Sequence, residues 1–272
     1  MELKLAYQDI PLSAVTSEAN SEEDDHPHHN LIYGSSSLFW RRGADGTQST
    51  ITFDLGSGNT RAVEYAIFRG ANLLIAEADN EVDLSIRGST DNFSVSDVSV
   101  LSTTNITDSD LTGPHNEDII LTGSLSTAYR YWRIQIDSTT SFQHLLRKCF
   151  FGQFFDFDSN ADVRYPYQAN YDKLGMGFTS DAGTQFRSYS GKRRRQYRFN
   201  WNGMSDSVRE DFEEKVLKYA AFMPIFLYED AQNHAPLNAF ELVYGWVNGT
   251  FESGEWEDLN SLSLDFVEDL AS

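Results

Sequence analysis

A single cysteine, Cys149, stands in 272 residues, so no disulfide can form within the chain and the fold must rest on packing. It lies in the apolar run CFFGQFF, where a buried free thiol is expected. Long apolar runs are missing too. No stretch of about 18 apolar residues occurs, so no membrane-spanning helix is expected. The opening MELKLAYQDIPLS has no charged segment followed by an apolar one, so a secretion signal is not expected either, and the sequons at Asn92, Asn105 and Asn248 are read as incidental.

Cations are scarce. Lys and Arg total 21 against 41 Asp and Glu, a formal charge of -20, so the surface as a whole repels phosphate and anionic lipid. Free nucleic acid and membrane are therefore not expected partners. Recognisable catalytic motifs are also missing: there is no GxSxG, no HExxH, no Walker-type loop and no His/Cys pair arranged around a nucleophile. Carboxylate pairs such as Asp54/Asp83 or Glu241/Glu252 arise by chance among so many acids. We expect no enzyme, no cofactor and no catalytic residues.

What is present is packing material. Aromatics at 14% and hydrophobics at 40% describe a folded chain, and the length suits two domains of ordinary size. Residues 1–30 contain SEANSEEDDHPHHN, acidic and nearly without apolar residues, and read as a loop or arm. His26, His28 and His29 stand there beside Glu22, Glu23, Asp24 and Asp25. With no cysteine among them and nothing fixing their geometry, no metal site is expected there. DFDSNAD places Asp156, Asp158, Asn160 and Asp162 at alternate positions, but Ala161 replaces the glycine a calcium loop needs and Tyr167 its closing Glu. An Asp/Asn-rich turn is expected.

From 31 to 140 short alternating segments lie between Gly, Ser, Asn and Asp clusters. Ile51/Phe53 against Thr50/Thr52, and Trp132/Ile134/Ile136 against Tyr131/Arg133/Gln135, give the period-2 pattern of half-buried antiparallel strands, and so a β-sandwich. From 141 to 272 the pattern reads strands, one helix, then strands, as in a small barrel or sandwich. The helix is expected over about 205–222, with Ser205 as N-cap and Val208, Phe212, Val216 and Tyr219 as its apolar face.

The first of these regions resembles the discoidin, or coagulation factor 5/8 C-type, modules. The residues that carry the resemblance are Asn30 to Gly34 followed by Phe39-Trp40, then Thr52-Phe53-Asp54-Leu55-Gly56, then Tyr131-Trp132-Arg133-Ile134. The cysteine pair of extracellular members is missing. The resemblance implies a jelly-roll sandwich with glycan or lipid-headgroup binding by its loops, for which Phe39, Arg41 and Arg42 are the candidate glycan-binding residues. The alternative, Phe39 and Trp40 in the core and the arginines solvated or at a subunit contact, stays open.

The second region resembles the tail-tube-related domain of tailed-phage distal tail proteins. Phe199-Asn200-Trp201-Asn202-Gly203-Met204-Ser205, Glu210-Asp211-Phe212, Pro224-Ile225-Phe226-Leu227 and Leu264-Asp265-Phe266-Val267-Glu268 carry it. It implies a structural virion protein of the tail tip or baseplate. Such a protein would be made in the bacterial cytoplasm and assembled as a trimeric or hexameric homo-oligomer ring that meets tube, hub and fibre proteins. DNA would only transit its channel, and host surface glycan would be a further partner. The alternative function is a carbohydrate-binding protein recognising bacterial surface glycans.

Six of the 21 cations lie within residues 187–198. Arg187, Lys192, Arg193, Arg194 and Arg195 are read as a basic subunit edge at the entry of a core strand. Glu255, Glu257, Asp258, Asp265, Glu268 and Asp269 are its acidic counterpart, within one chain or between neighbours.

Overall fold

The computed structural model describes residues 2–6, 10–32, 38–70, 73, 81–104, 106, 111–112, 118–156, 170–179, 185–218, 225–230, 242–253 and 260–268. The protein is mainly β and divides into two compact units. One comprises Leu3–Phe155 with Tyr228–Leu242, the other Asp156–Leu227 with Val243–Ser272.

In the first unit the strands are β1 (Glu2–Ala6), β2 (Thr16–Ala19), β3 (Trp40–Arg41), β4 (Gly46–Asp54), β5 (Tyr65–Arg69), β6 (Val82–Ser89), β7 (Val98–Thr103), β8 (Leu111–Thr112), β9 (Asp118–Thr122), β10 (Tyr131–Phe142), β11 (Leu145–Leu146), β12 (Lys148–Gly152) and β13 (Phe154–Asp156). Eleven of them form a five-stranded antiparallel sheet, β2-β4-β10-β6-β7, a four-stranded one, β12-β5-β9-β8, and the separate pair of β11 and β3, whereas β1 and β13 belong to none of these three. The alternation in sequence explains the two layers. Ile51, Phe53, Trp132, Ile134, Ile136, Leu84 and Ile86 point inward from the first sheet, Phe68, Ile119, Leu121 and Phe151 from the second, and all join one buried cluster. Phe151 meets Phe53 and Trp132 edge-on, with centroids 5.4 and 6.4 Å away. Strand β12, KCFFG, is buried along its whole length, and Cys149 is a buried free thiol within it.

The expected arm is a different object. Residues 16–19 pair with β4 as the edge of the five-stranded sheet, a short helix α1 (Ile10–Ser13) buries Ile10 and Pro11, and a 3-10 turn at His28–Leu31 buries His28 and Leu31. The acids do not drive this segment into solvent because two of them are partnered locally: Glu22 accepts from the His28 N–H and lies against its ring, and Glu23 pairs with Arg41. The sandwich therefore begins well before residue 31 and runs past 140, through β12.

In the second unit β14 (Asn170–Thr179), β15 (Gln185–Met204), α2 (Asp206–Phe212), β17 (Leu242–Ser253) and β18 (Asn260–Glu268) follow in chain order, with β16 (Ile225–Asp230) lying across the division between units. Strands β14, β15, β18 and β17 are neighbours in that order, all antiparallel. Ser205 caps the helix as expected, its Oγ accepting from Val208 N–H at 3.4 Å. Phe212 and Val216 are fully buried. Regular α geometry ends at Phe212, and a π-helical turn over Glu213–Leu217 follows it. Tyr219 lies outside the described residues.

Candidate functional site

The strand register sorts the loops of the first unit into two groups. Where β4 begins and β10 finishes, Gly46 pairs with Phe142; at the opposite end Asp54 pairs with Tyr131. The segments around Glu22 to Asn30, Leu38 to Asp45 and Phe142 to Arg147 gather at the first end.

Phe39 is half-buried there and Trp40, its neighbour, is fully buried, so the two aromatics divide between the two roles left open by the sequence. Phe39 stacks on His26, with ring centroids 4.1 Å apart and planes 30° apart. The backbone beneath it is tethered in series. Buried Lys148 donates from Nζ to Asn30 O at 2.9 Å, and Asn30 Nδ2 donates to Phe39 O at 3.0 Å. Burial pulls the Lys148 ammonium down to about 8.

Beside the stacked rings Glu23 is a hub. Arg41 donates to its Oε2 from Nε at 2.7 Å and also from Nη2, His26 Nδ1 lies 3.2 Å from the same oxygen, and Gln143 Nε2 donates to Oε1 at 3.4 Å. Arg41 is the main cause that holds the Glu23 carboxyl below its ordinary value, against some burial. The Arg41 side chain remains 35% exposed and that of Glu23 24%. One turn back, Glu22 accepts from His28 N–H at 2.8 Å and lies 2.7 Å from His28 Nδ1. Its burial acts to raise the carboxyl, and those two contacts outweigh it.

Arg42 does not join Phe39 and Arg41. Its Nη1 donates to Ala44 O at 2.7 Å, its N–H to His144 O at 3.0 Å, and its guanidinium lies so close over Gly46 that a Cβ there would clash. It holds the turn between β3 and β4. Glu23, His26, Asn30, Gln143 and Lys148 were not singled out as binding residues from sequence. The Glu/His stretch was visible, but it reads as part of a loop or arm until the fold brings Arg41 to it.

The basic cluster of the second unit lies inside β15, not at the entry of a strand. Arg193, Arg194 and Arg195 are the backbone partners of Lys173, Asp172 and Tyr171, and Arg187 that of Gly177. The side chains of Arg187, Lys192, Arg193, Arg194, Arg195 and Glu268 lie outside the described set, as do residues Glu255, Glu257, Asp258 and Asp269 and the acidic turn of Asp158, Asn160 and Asp162. One pair is described. Arg198 Nε donates to Asp265 Oδ1 at 2.6 Å across β15 and β18, which answers one acid of the expected counterpart within the chain.

Among the described residues no group of three His, Cys, Asp or Glu side chains is placed to hold a metal ion, and no helix is long and apolar enough to cross a membrane.

No protein-family model and no curated protein matches the chain. Solved structures similar to it include chitosan-binding module 1 from a chitosanase/glucanase of Paenibacillus sp. IK-5, at 16% identity and a TM-score of 0.39, covering 51% of this chain and 94% of that one. The family 32 carbohydrate-binding module of C. perfringens NanJ, solved with galactose, is similar at 15% identity and TM-score 0.37, covering 56% and 99%. A Ruminococcus gnavus GH29 fucosidase is similar at 9% identity and TM-score 0.37, over 53% of this chain; the match spans only 25% of the fucosidase. Nothing in these comparisons bears on the phage-tail resemblance.

Proposed function

We propose that the first unit is a non-catalytic glycan-binding module whose ligand docks on Phe39. The observation that carries this is the arrangement of an aromatic plate beside a fixed polar hub. Phe39, stiffened by its stack on His26, offers an apolar face for the C–H side of a pyranose. Next to it Glu23 offers an acceptor whose orientation Arg41 and Gln143 already fix, and Arg41 is exposed enough to donate to a second hydroxyl. A sugar diol needs that combination of acceptor, donor and flat apolar surface at one place.

The test is titration calorimetry of the full chain with short oligosaccharides. Chitosan oligosaccharides and galactose, named with two of the similar modules, are the first probes. Binding that falls at least tenfold in Phe39→Ala supports the reading, and Phe39→Ala binding as wild type overturns the placement. A glycan array on which the full chain is not retained overturns the function. Release of reducing ends during the titration would replace a binding module with an enzyme.

A second reading, a ring component of a phage tail tip, is favoured by one observation: strand β15, the Ser205-capped helix, then β16 and finally β18 occur in the order that resemblance implies. Negative-stain microscopy of the purified chain tests it, and a monodisperse monomer would remove it.

A further inference from the structure

The outward face of the five-stranded sheet carries side chains that neither the core nor the Phe39 site uses. Across β2, β4, β10 and β6 the register sets Glu18, Thr52, Arg133 and Arg87 in one row. Two arginines on adjacent strands are a like-charge pair, which costs stability unless something answers it. Arg87 is answered: its Nε donates to Asp97 Oδ1 at 2.6 Å.

Arg133 is only partly answered. Its Nε donates to Thr52 Oγ1 at 3.2 Å, and its Cζ lies 3.7 Å from the centroid of the Phe93 ring. Among the described residues no acceptor meets its Nη atoms. Burial pulls the guanidinium below its ordinary value and Arg87 adds to this, while Asp97 and Glu18 act against it. A planar cation held against an aromatic ring, with its Nη donors unused, suits a carboxylate, which the guanidinium fork meets with two parallel hydrogen bonds.

The loop that brings Phe93 there is strained. Asn92 and Phe93 both have left-handed backbones, at φ 57 and 62, a conformation that side-chain-bearing residues adopt at a cost. It is held by Ser89 Oγ, which accepts from Phe93 N–H at 2.9 Å, and by Asp91, whose carboxylate accepts from Val95 and Ser96 N–H at 3.1 Å. In this conformation the Phe93 ring lies on Arg133.

The next row along the same face is neutral and hydrogen-bonding: Thr50, Gln135 and Ser85. The row after that holds Gln48, Asp137 and Asp83, which would repel an anion. Of these three rows the arginine row suits a carboxylate, at the Arg133 edge and away from Glu18 on β2, with hydroxyl groups on the neutral row beside it. We propose that this face binds a carboxylate-bearing sugar, a uronate, with the carboxylate on the Arg133 edge next to Arg87 and the ring hydroxyls over Gln135 and its neighbours. The site is separate from Phe39 and does not depend on it.

The experiment is titration of the full chain with trigalacturonate, neutral galactotriose and acetate, read by calorimetry and by the Arg133 Nε–H resonance. Trigalacturonate should bind and shift that resonance, and galactotriose should leave it unmoved. Arg133→Gln should weaken trigalacturonate at least tenfold and Arg87→Gln several-fold. Arg133→Lys, which keeps the charge and loses the fork, should fall in between, and with Arg87→Gln it carries the test if Arg133→Gln does not fold. Wild-type affinity in both Arg133→Lys and Arg87→Gln, or no binding of trigalacturonate, overturns the site. Acetate binding as tightly as trigalacturonate overturns the sugar assignment.

Discussion

Arg130 closes on Asp54 through two hydrogen bonds, Nε to Oδ1 at 2.7 Å and Nη2 to Oδ2 at 2.8 Å, and so ties the finish of β4 to the start of β10. Asp54 also accepts from the N–H of Gly56, which turns the chain with φ +83. One carboxylate thereby shapes the turn and joins two strands that carry much of the core.

That carboxylate should make the first unit acid-sensitive. Arg130 is the main cause that holds Asp54 below its ordinary value of 3.8, with burial opposing and the Gly56 N–H assisting. A carboxyl depressed on folding contributes stability that is fully present above its unfolded value and is lost as pH falls through the folded one. Asp54→Asn should therefore lower the melting temperature at pH 7, and the gap to wild type should close below pH 4. Thermal melts at pH 7 and pH 3 check both halves.

His144 should give a second acid transition in a different window. It is fully buried between Ser49 Oγ, 2.7 Å from Nδ1, and Ser138 Oγ, 3.2 Å from Nε2. Burial first, then the charge of Arg42, pulls the imidazole down to about 4. The folded protein resists binding a proton that the unfolded chain accepts, so stability falls as pH drops from 6.5 toward 4, by on the order of 3 kcal/mol. His144→Gln keeps hydrogen-bonding capacity and should flatten that dependence. Urea unfolding at pH 7 and pH 5 measures the difference.

The layers of the first unit were legible because period-2 alternation is a local signal: Ile51 and Phe53, Trp132 and Ile134 are buried as their spacing requires. The edge strand β2 was not legible. Thr16 to Ala19 carries no apolar alternation, and it is a strand only because β4 offers a free edge. The candidate site was half legible for the same reason. Phe39 and Arg41 stand out in sequence, whereas Glu23 and Gln143 gain meaning only from pairings across 18 and 120 residues. The helix was legible in its cap and apolar face, but the π-helical turn at Glu213 has no sequence mark.

Gly88 should tolerate no side chain. It pairs with Trp132 across β6 and β10, and a Cβ on it would meet Tyr129 Cδ2 at 2.3 Å. The Tyr129 ring is itself packed edge-on against Trp132, with centroids 5.6 Å apart, so it has no easy retreat. Gly88→Ala should cost about 1–3 kcal/mol by overpacking. A lower urea midpoint with unchanged slope is the expected result.

The glycan reading makes a demand on Glu23 that a purely structural role does not. If Arg41 and Gln143 only fasten the Glu22 to Asn30 segment, Glu23→Gln should lower stability and leave sugar affinity untouched, since the amide still accepts from Arg41. As the acceptor for a sugar hydroxyl, the carboxylate forms a stronger, charge-assisted bond than the amide does. Glu23→Gln should then weaken oligosaccharide binding about tenfold, while Phe39 stays stacked on His26 and the melting temperature moves little. Adding Phe39→Ala to that variant separates the two contributions. An effect well below the product of the single losses identifies Glu23 and Phe39 as acting on one ligand at one place, and a full product assigns them to independent contacts.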